Sequence, residues 1–153
     1  MKKFILLSCL LLTAIAAQAQ FEKGKWMINP SLSGFQLGYD TGSEKTSLNI
    51  QGTGGWFVAD NLALTGYIGA QFSGVDVLQI GAGARYYFHQ TGFFAGADIG
   101  VYNADDNTDF TLGLEGGYAF FLSRTITVEP GVYWNIHSDA SQFGVKVGFG
   151  FYF

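Results

Sequence analysis

Charge, cysteine, proline and long apolar runs are all scarce in this 153-residue chain. Charged residues make up 13%, against roughly 25% in an ordinary soluble domain, so the surface is not built mainly to face water. The one cysteine, Cys9, lies close to the N-terminus. Beyond it no disulfide framework and no thiolate chemistry can form. The net charge of −4 leaves no basic patch to neutralise phosphates, which excludes a nucleic-acid partner. After the first twenty residues no segment approaches the roughly 20 consecutive apolar residues of a membrane-spanning helix. Only two prolines occur, Pro30 and Pro130. Gly (22) and the aromatics (15 Phe, 8 Tyr, 3 Trp) are instead abundant. That mixture suits many strands joined by tight turns, and the length suits one domain.

The N-terminus reads as a targeting segment. Lys2 and Lys3 precede an apolar run, Phe4 to Ala16, and Ala17-Gln18-Ala19 offers small residues where a signal peptidase reads them. Residues 1–19 are therefore expected to be a cleaved signal peptide and 20–153 the mature domain. The run is too short for a stable uncleaved anchor. Leu6-Leu7-Ser8-Cys9 has the look of a lipoprotein box, but lipidation at Cys9 would leave Leu10 to Ala16 as an apolar head on the mature chain. Loss of Lys2 and Lys3 leaves 6 basic and 12 acidic residues, a charge of −6.

The mature chain alternates. Phe143, Val145, Val147, Phe149, Phe151 and Phe153 are separated by Gly144, Lys146, Gly148, Gly150 and Tyr152, and a period of two puts the two sets on opposite faces of a strand. The same pattern recurs over Leu78–Phe88, Phe93–Tyr102, Phe110–Phe120 and Ile126–Asn135, and less cleanly over Thr46–Phe57 and Leu62–Phe72. Trp26–Tyr39 changes phase near Ser33-Gly34, which calls for a bulge. Eight strands result. Ala59-Asp60-Asn61, His89-Gln90-Thr91-Gly92 and Leu122-Ser123-Arg124 read as tight turns. Asp40–Lys45, Asn103–Thr108 and Ile136–Ser141 read as longer loops, with Ser73-Gly74-Val75-Asp76 a shorter member of that group.

The polar face carries Arg85, Asp98, Glu115, Glu129 and Lys146, while the other face is almost free of charge. Such an apolar face aggregates in water. Lipid accepts it, and closure of the sheet satisfies every backbone N–H and C=O. The expected fold is all-β: a closed eight-stranded antiparallel transmembrane β-barrel, an up-and-down meander. Short turns at one end and longer loops at the other are the pattern of such barrels in bacterial outer membranes. Both termini then fall on the periplasmic side. Trp26, Trp56, Tyr86, Phe88, Tyr118 and Phe120 mark an interfacial girdle at the tight-turn end. Phe57, Tyr87, Phe93, Phe94, Phe121, Phe151, Tyr152 and Phe153 crowd the same end. Pro130 falls mid-strand in a sheet without free edges, so a local bulge is expected there.

Trp56-Phe57-Val58-Ala59-Asp60-Asn61-Leu62-Ala63-Leu64 resembles the strand–turn–strand signature of the outer-membrane β-barrel domain family, the small OmpA/OmpX-type barrels. The closing Phe149-Gly150-Phe151-Tyr152-Phe153 is similar to the C-terminal signal read by the barrel-assembly machinery. The resemblance implies that machinery and outer-membrane lipid as partners, and a monomer. It implies no shared catalytic residues, no cofactor and no metal.

The five inward charges admit three readings: an interior ion network filling a lumen barely wide enough for side chains, an ion or proton path, or an acid/base pair. Each buried charge needs a partner, and Arg85 and Lys146 can supply one. The lumen glycines would make room for Tyr67, Tyr87, Tyr102 and Tyr133. His137, Ser138, Asp139 and Ser141 share one short loop, whereas a nucleophile–base–orienter set draws on convergent elements. His89 is an isolated histidine in a turn. The rim acids Asp40, Glu44, Asp76, Asp105, Asp106 and Asp109 could meet divalent cations, but Asn103–Asp109 lacks the Gly and Glu of an EF-hand. The expectation is a non-enzymatic structural or interaction barrel with a plugged lumen. The alternatives are a narrow channel or hydrophobic-solute conduit of the OmpW kind, a lipid-modifying barrel enzyme, and a soluble secreted β-protein.

Overall fold

A computed structural model describes residues 21–35, 48–72, 76–104, 107–137 and 141–153. Residues 1–19, with Cys9, therefore lie outside the described residues, as does the loop around Asp40–Lys45. The strands are β1 (Trp26–Phe35), β2 (Leu48–Ala59), β3 (Leu62–Phe72), β4 (Asp76–Tyr87), β5 (Phe93–Ala104), β6 (Asn107–Tyr118), β7 (Phe120–Phe121), β8 (Ile126–His137) and β9 (Ser141–Tyr152). Every pairing is antiparallel, sequence neighbours lie side by side except β6 and β7, which both pair with β8, and β1 pairs with β9. The sheet therefore closes. β6 and β7 both pair with β8 in a single register, Gly117 opposite Gly131 and Phe120 opposite Val128. They are two segments of one stave, so the barrel has eight.

Period-two alternation decides which side chains face out. Ile28, Leu64, Ile80, Ile99, Leu112, Val132, Val147 and Phe149 are exposed on the wall. Trp26 and Trp56 stack across the β1–β2 pair, 6.0 Å between ring centroids. Tyr86 with Phe88, and Phe93 with Tyr118 and Phe120, extend this aromatic band round the outside at the tight-turn end. Phe57, Tyr87, Phe94, Phe121 and Tyr152 do not join it. They are buried inside the barrel, where the alternation of their strands directs them. Crowding at one end of the sequence pattern did not distinguish the two faces.

The bulge expected near Ser33-Gly34 is present: the β1–β9 register shifts between Leu32 and Phe35. The one expected at Pro130 is not. β8 holds a constant register against β9 from Ile126 to Ile136 and against β6 and β7. The ladder is instead interrupted. The shared register puts Pro130 opposite Tyr118, where β6 ends. Pro130 has no N–H for the facing carbonyl to accept. Pro30 does the same on β1, where the β1–β9 pairing lapses between Ile28 and Ser31 without a shift. Each proline costs one rung, and both rings are exposed on the outer wall.

The tight turns fall where expected. Asn61 (φ 67°) and His89 (φ 47°) take left-handed backbone in two of them. The loop-end connections are shorter than anticipated. Asn103 pairs with Thr108 and Ala104 with Asn107, so Asn103–Thr108 is largely strand, and Ile136 pairs with Ser141.

Candidate functional site in the barrel lumen

The interior is organised in layers. The first is an aromatic stopper at the tight-turn end. The chain before β1 folds back across this mouth. The Phe21 carbonyl accepts from the Asn61 N–H at 2.7 Å, and the Gly24 N–H donates to the Phe57 carbonyl at 2.8 Å. The Lys23 N–H donates to Asp60 Oδ1 at 3.0 Å. These bonds hold the Phe21 ring inside the barrel with no exposed surface. The ring stacks on Tyr87 at 3.9 Å and meets Phe121 and Tyr152 edge-on, both at 5.6 Å. Met27, Phe57, Ala63, Phe94 and Ala119 complete the cluster.

The second layer is ionic. Arg85 on β4 reaches across the lumen to two carboxylates. Its Nε lies 2.6 Å from Glu115 Oε1 on β6, and its Nη1 lies 2.9 Å from Glu129 Oε2 on β8. Lys146 on β9 pairs with the other Glu115 oxygen. Glu129 also accepts from Asn29 Nδ2 at 2.6 Å, Thr127 Oγ1 at 2.7 Å and Tyr152 Oη at 2.5 Å. The Tyr87 and Tyr152 hydroxyls, 3.0 Å apart, join the stopper to this layer. Arg85 also sits 4.4 Å over the Phe94 ring. A guanidinium suits this place because its planar fork serves two carboxylates at once and stacks on an aromatic.

Arg85 thus serves Glu115 and Glu129, and Asp98 takes part in none of these ion pairs. Close packing here depends on absent side chains. A methyl group on Gly96 would lie 2.8 Å from Glu115 Oε1, and one on Gly144 would lie 2.6 Å from Tyr133 Oη. Glycine lets those large groups lie flat across a narrow bore.

The third layer is a small polar cavity of about 30 Å³ bordered by Gln51, Tyr67, Gln79, Asp98, Thr111, Tyr133 and Asn135. The hydroxyl of Thr111 is buried and has no hydrogen-bond partner among the described residues.

Among the described residues the other sequence candidates are not assembled into a site. His89 is exposed in its turn. Ser138 and Asp139 lie outside the described residues, as do the side chains of His137 and Tyr102. Asp40, Glu44, Asp105 and Asp106 are likewise outside, and of the rim acids only the Asp109 side chain is described. Among the described residues no three His, Cys, Asp or Glu side chains converge. Phe149 and Phe153 of the closing segment face outward and Phe151 is half-buried, whereas Tyr152 points into the ionic layer. Sequence reading missed Phe21, which sits outside any alternating segment, and missed Asn29 and Thr127, whose short polar side chains look like any strand residue.

The architecture is a closed eight-stranded antiparallel β-barrel with an apolar outer wall. No family model and no curated protein matches the sequence. Solved structures do. The N-terminal β-barrel domain of Pseudomonas aeruginosa OprF superposes with a TM-score of 0.65 at 15% identity, over 86% of this chain and 98% of that one. Neisserial surface protein A (NspA) gives 0.59 at 12% identity over 84% and 94%. Yersinia pestis Ail in a phospholipid bilayer nanodisc gives 0.58 at 10% identity over 86% and 100%. At these identities the likeness is one of fold. With the apolar wall, it supports an integral outer-membrane barrel.

Proposed function

We propose that the protein is an exported, monomeric outer-membrane barrel with a structural or interaction role, whose lumen is plugged by its own side chains. The single observation that carries this reading is the coupled pair of layers at one end. Phe21 closes the mouth, and directly behind it Arg85, Glu115, Glu129 and Lys146 span the bore. An open pore has no need of a buried ring stacked across its entrance. The targeting segment, periplasmic termini and assembly by the machinery that reads the closing Phe belong to the same reading. The barrel neighbours support the location. Planar-bilayer recording tests the plug: the expected result is no stable open state, and sustained large conductance by the wild-type chain overturns it.

A second reading, a conduit for hydrophobic solutes, is favoured by one feature. A shallow apolar groove on the outer wall, bordered by Phe93, Gly116, Tyr118, Pro130 and Val132, lies over the interrupted β6–β7 stave. Lateral opening there would expose the ionic layer, so Arg85→Ala or Glu129→Ala should change permeation of an apolar dye into proteoliposomes. Identical permeation in wild type, variants and empty vesicles removes it.

A further inference from the structure

Two cations and two anions of the lumen satisfy one another: Arg85 and Lys146 with Glu115 and Glu129. Asp98 is the odd negative charge. Among the described residues no cation pairs with it directly. Asp98 is part-buried, and a part-buried carboxylate without a directly bonded cation still carries a desolvation cost. Beside it lies the cavity of about 30 Å³, which has room for a water-sized occupant. Glu115 and Lys146 border it as an already paired couple.

The lining is rich in oxygen. Gln51, Gln79 and Asn135 present side-chain amides, Asp98 a carboxylate and Thr111 a hydroxyl. Thr111 is 8% exposed, and its Oγ1 has no partner among the described residues. An orphaned buried hydroxyl is costly unless something fills its coordination. Space for the Asp98 carboxylate is kept by Gly113, where a Cβ would lie 2.5 Å from Asp98 Oδ1. One carboxylate among neutral oxygens is too little charge for a tight divalent site. Divalent sites draw on several carboxylates, and among the described lining residues there is no imidazole or thiolate for a transition metal.

We propose that this cavity is a binding site for one monovalent alkali cation, held between the Asp98 carboxylate and the Thr111 hydroxyl and completed by side-chain amide oxygens. The bound ion balances the lumen charge and satisfies Thr111 together.

The test uses the whole refolded barrel in detergent, with heat-modifiable gel mobility as the check on folding. Crystals grown in potassium and exchanged into thallium(I) should show an anomalous peak beside Asp98 and Thr111. Asp98→Asn should lose that peak, and Thr111→Val, which keeps the charge, should weaken it. A water molecule alone at the position, or a peak as strong in folded Asp98→Asn as in wild type, overturns the proposal. A solution measurement covers variants that do not crystallise. Replacing a large organic cation by potassium at constant ionic strength should raise the melting temperature of wild type and leave Asp98→Asn unmoved. An equal response in both chains also overturns it.

Discussion

The Phe21 ring lies stacked on the Tyr87 ring, 3.9 Å apart and 17° from parallel, joining the chain ahead of the first strand to the tight-turn end of β4. A segment with no strand pairing of its own thus supplies one of the most buried side chains in the protein. Phe21→Ala should cost about 3–5 kcal/mol, as for other fully buried phenylalanines. Urea unfolding in lipid vesicles checks the stability. The same variant in planar bilayers should show brief openings that wild type lacks if Phe21 stops the mouth, and Phe21→Leu should suppress most of them.

Arg85 and Lys146 are not equivalent, although both pair with Glu115. Arg85→Met strips a cation from Glu115 and Glu129 together, and breaking a buried pair from one side costs roughly 3–5 kcal/mol. Lys146→Met leaves Glu115 with its 2.6 Å bond to Arg85, so its loss should be clearly smaller. Glu129 keeps three neutral donors whichever cation is removed. Unfolding free energies of Arg85→Met, of Glu129→Gln and of the two combined complete a double-mutant cycle with wild type. A coupling energy near zero would show that the pair adds nothing.

Much of this arrangement was legible because a membrane barrel obeys period two so strictly. Arg85, Glu115, Glu129 and Lys146 were placed inside by alternation alone, with no knowledge of distance. Their partner choice was not legible. Which cation meets which carboxylate depends on the stagger between strands, and alternation does not set that stagger. Tyr87, Phe94 and Tyr152 show a second limit. Composition grouped them with the outer girdle while alternation turned them inward, and alternation prevailed because a strand cannot rotate one residue without its neighbours. Phe21 carried no periodic signal at all. At Pro130 the missing donor was foreseen, but the barrel gives up one hydrogen bond rather than shift the register of a whole stave.

Glycines on the two faces should respond oppositely to alanine. Gly54 faces outward, with nothing within 4 Å of an added Cβ. Gly54→Ala should be neutral or stabilising, by up to about 0.4–1 kcal/mol through the unfolded chain. At Gly117 the added atom would meet the Pro130 carbonyl oxygen at 2.6 Å and Gly131 Cα at 3.0 Å. Backbone cannot step aside, so Gly117→Ala should destabilise by about 1–3 kcal/mol. Chemical unfolding of the two variants under one condition makes the comparison.

Restoring the missing rung should help. Pro130→Val puts a β-branched apolar residue on the outer wall and returns an N–H opposite Tyr118. One added hydrogen bond contributes about 0.5–1.5 kcal/mol. Amide exchange should show a new slowly exchanging proton at position 130. Unchanged stability without that protection would mean that the rung is lost for a reason other than the proline ring.

The outer wall itself tests the membrane reading, through the dependence of cost on depth. Val147 lies midway along β9 and is exposed, while Phe153 is exposed at the tight-turn end. In a bilayer-spanning barrel an arginine near the midplane costs about 2–4 kcal/mol and one near an interface about 0–1 kcal/mol. Val147→Arg should therefore lose several times more stability in lipid vesicles than Phe153→Arg, and the gap should shrink in detergent micelles, whose surface deforms around a charge. A soluble barrel would reverse the expectation, because an arginine at exposed position 147 would meet water and relieve aggregation. Equal costs at the two depths, with the variant chains in the aqueous fraction, would remove the bilayer from the account of this wall.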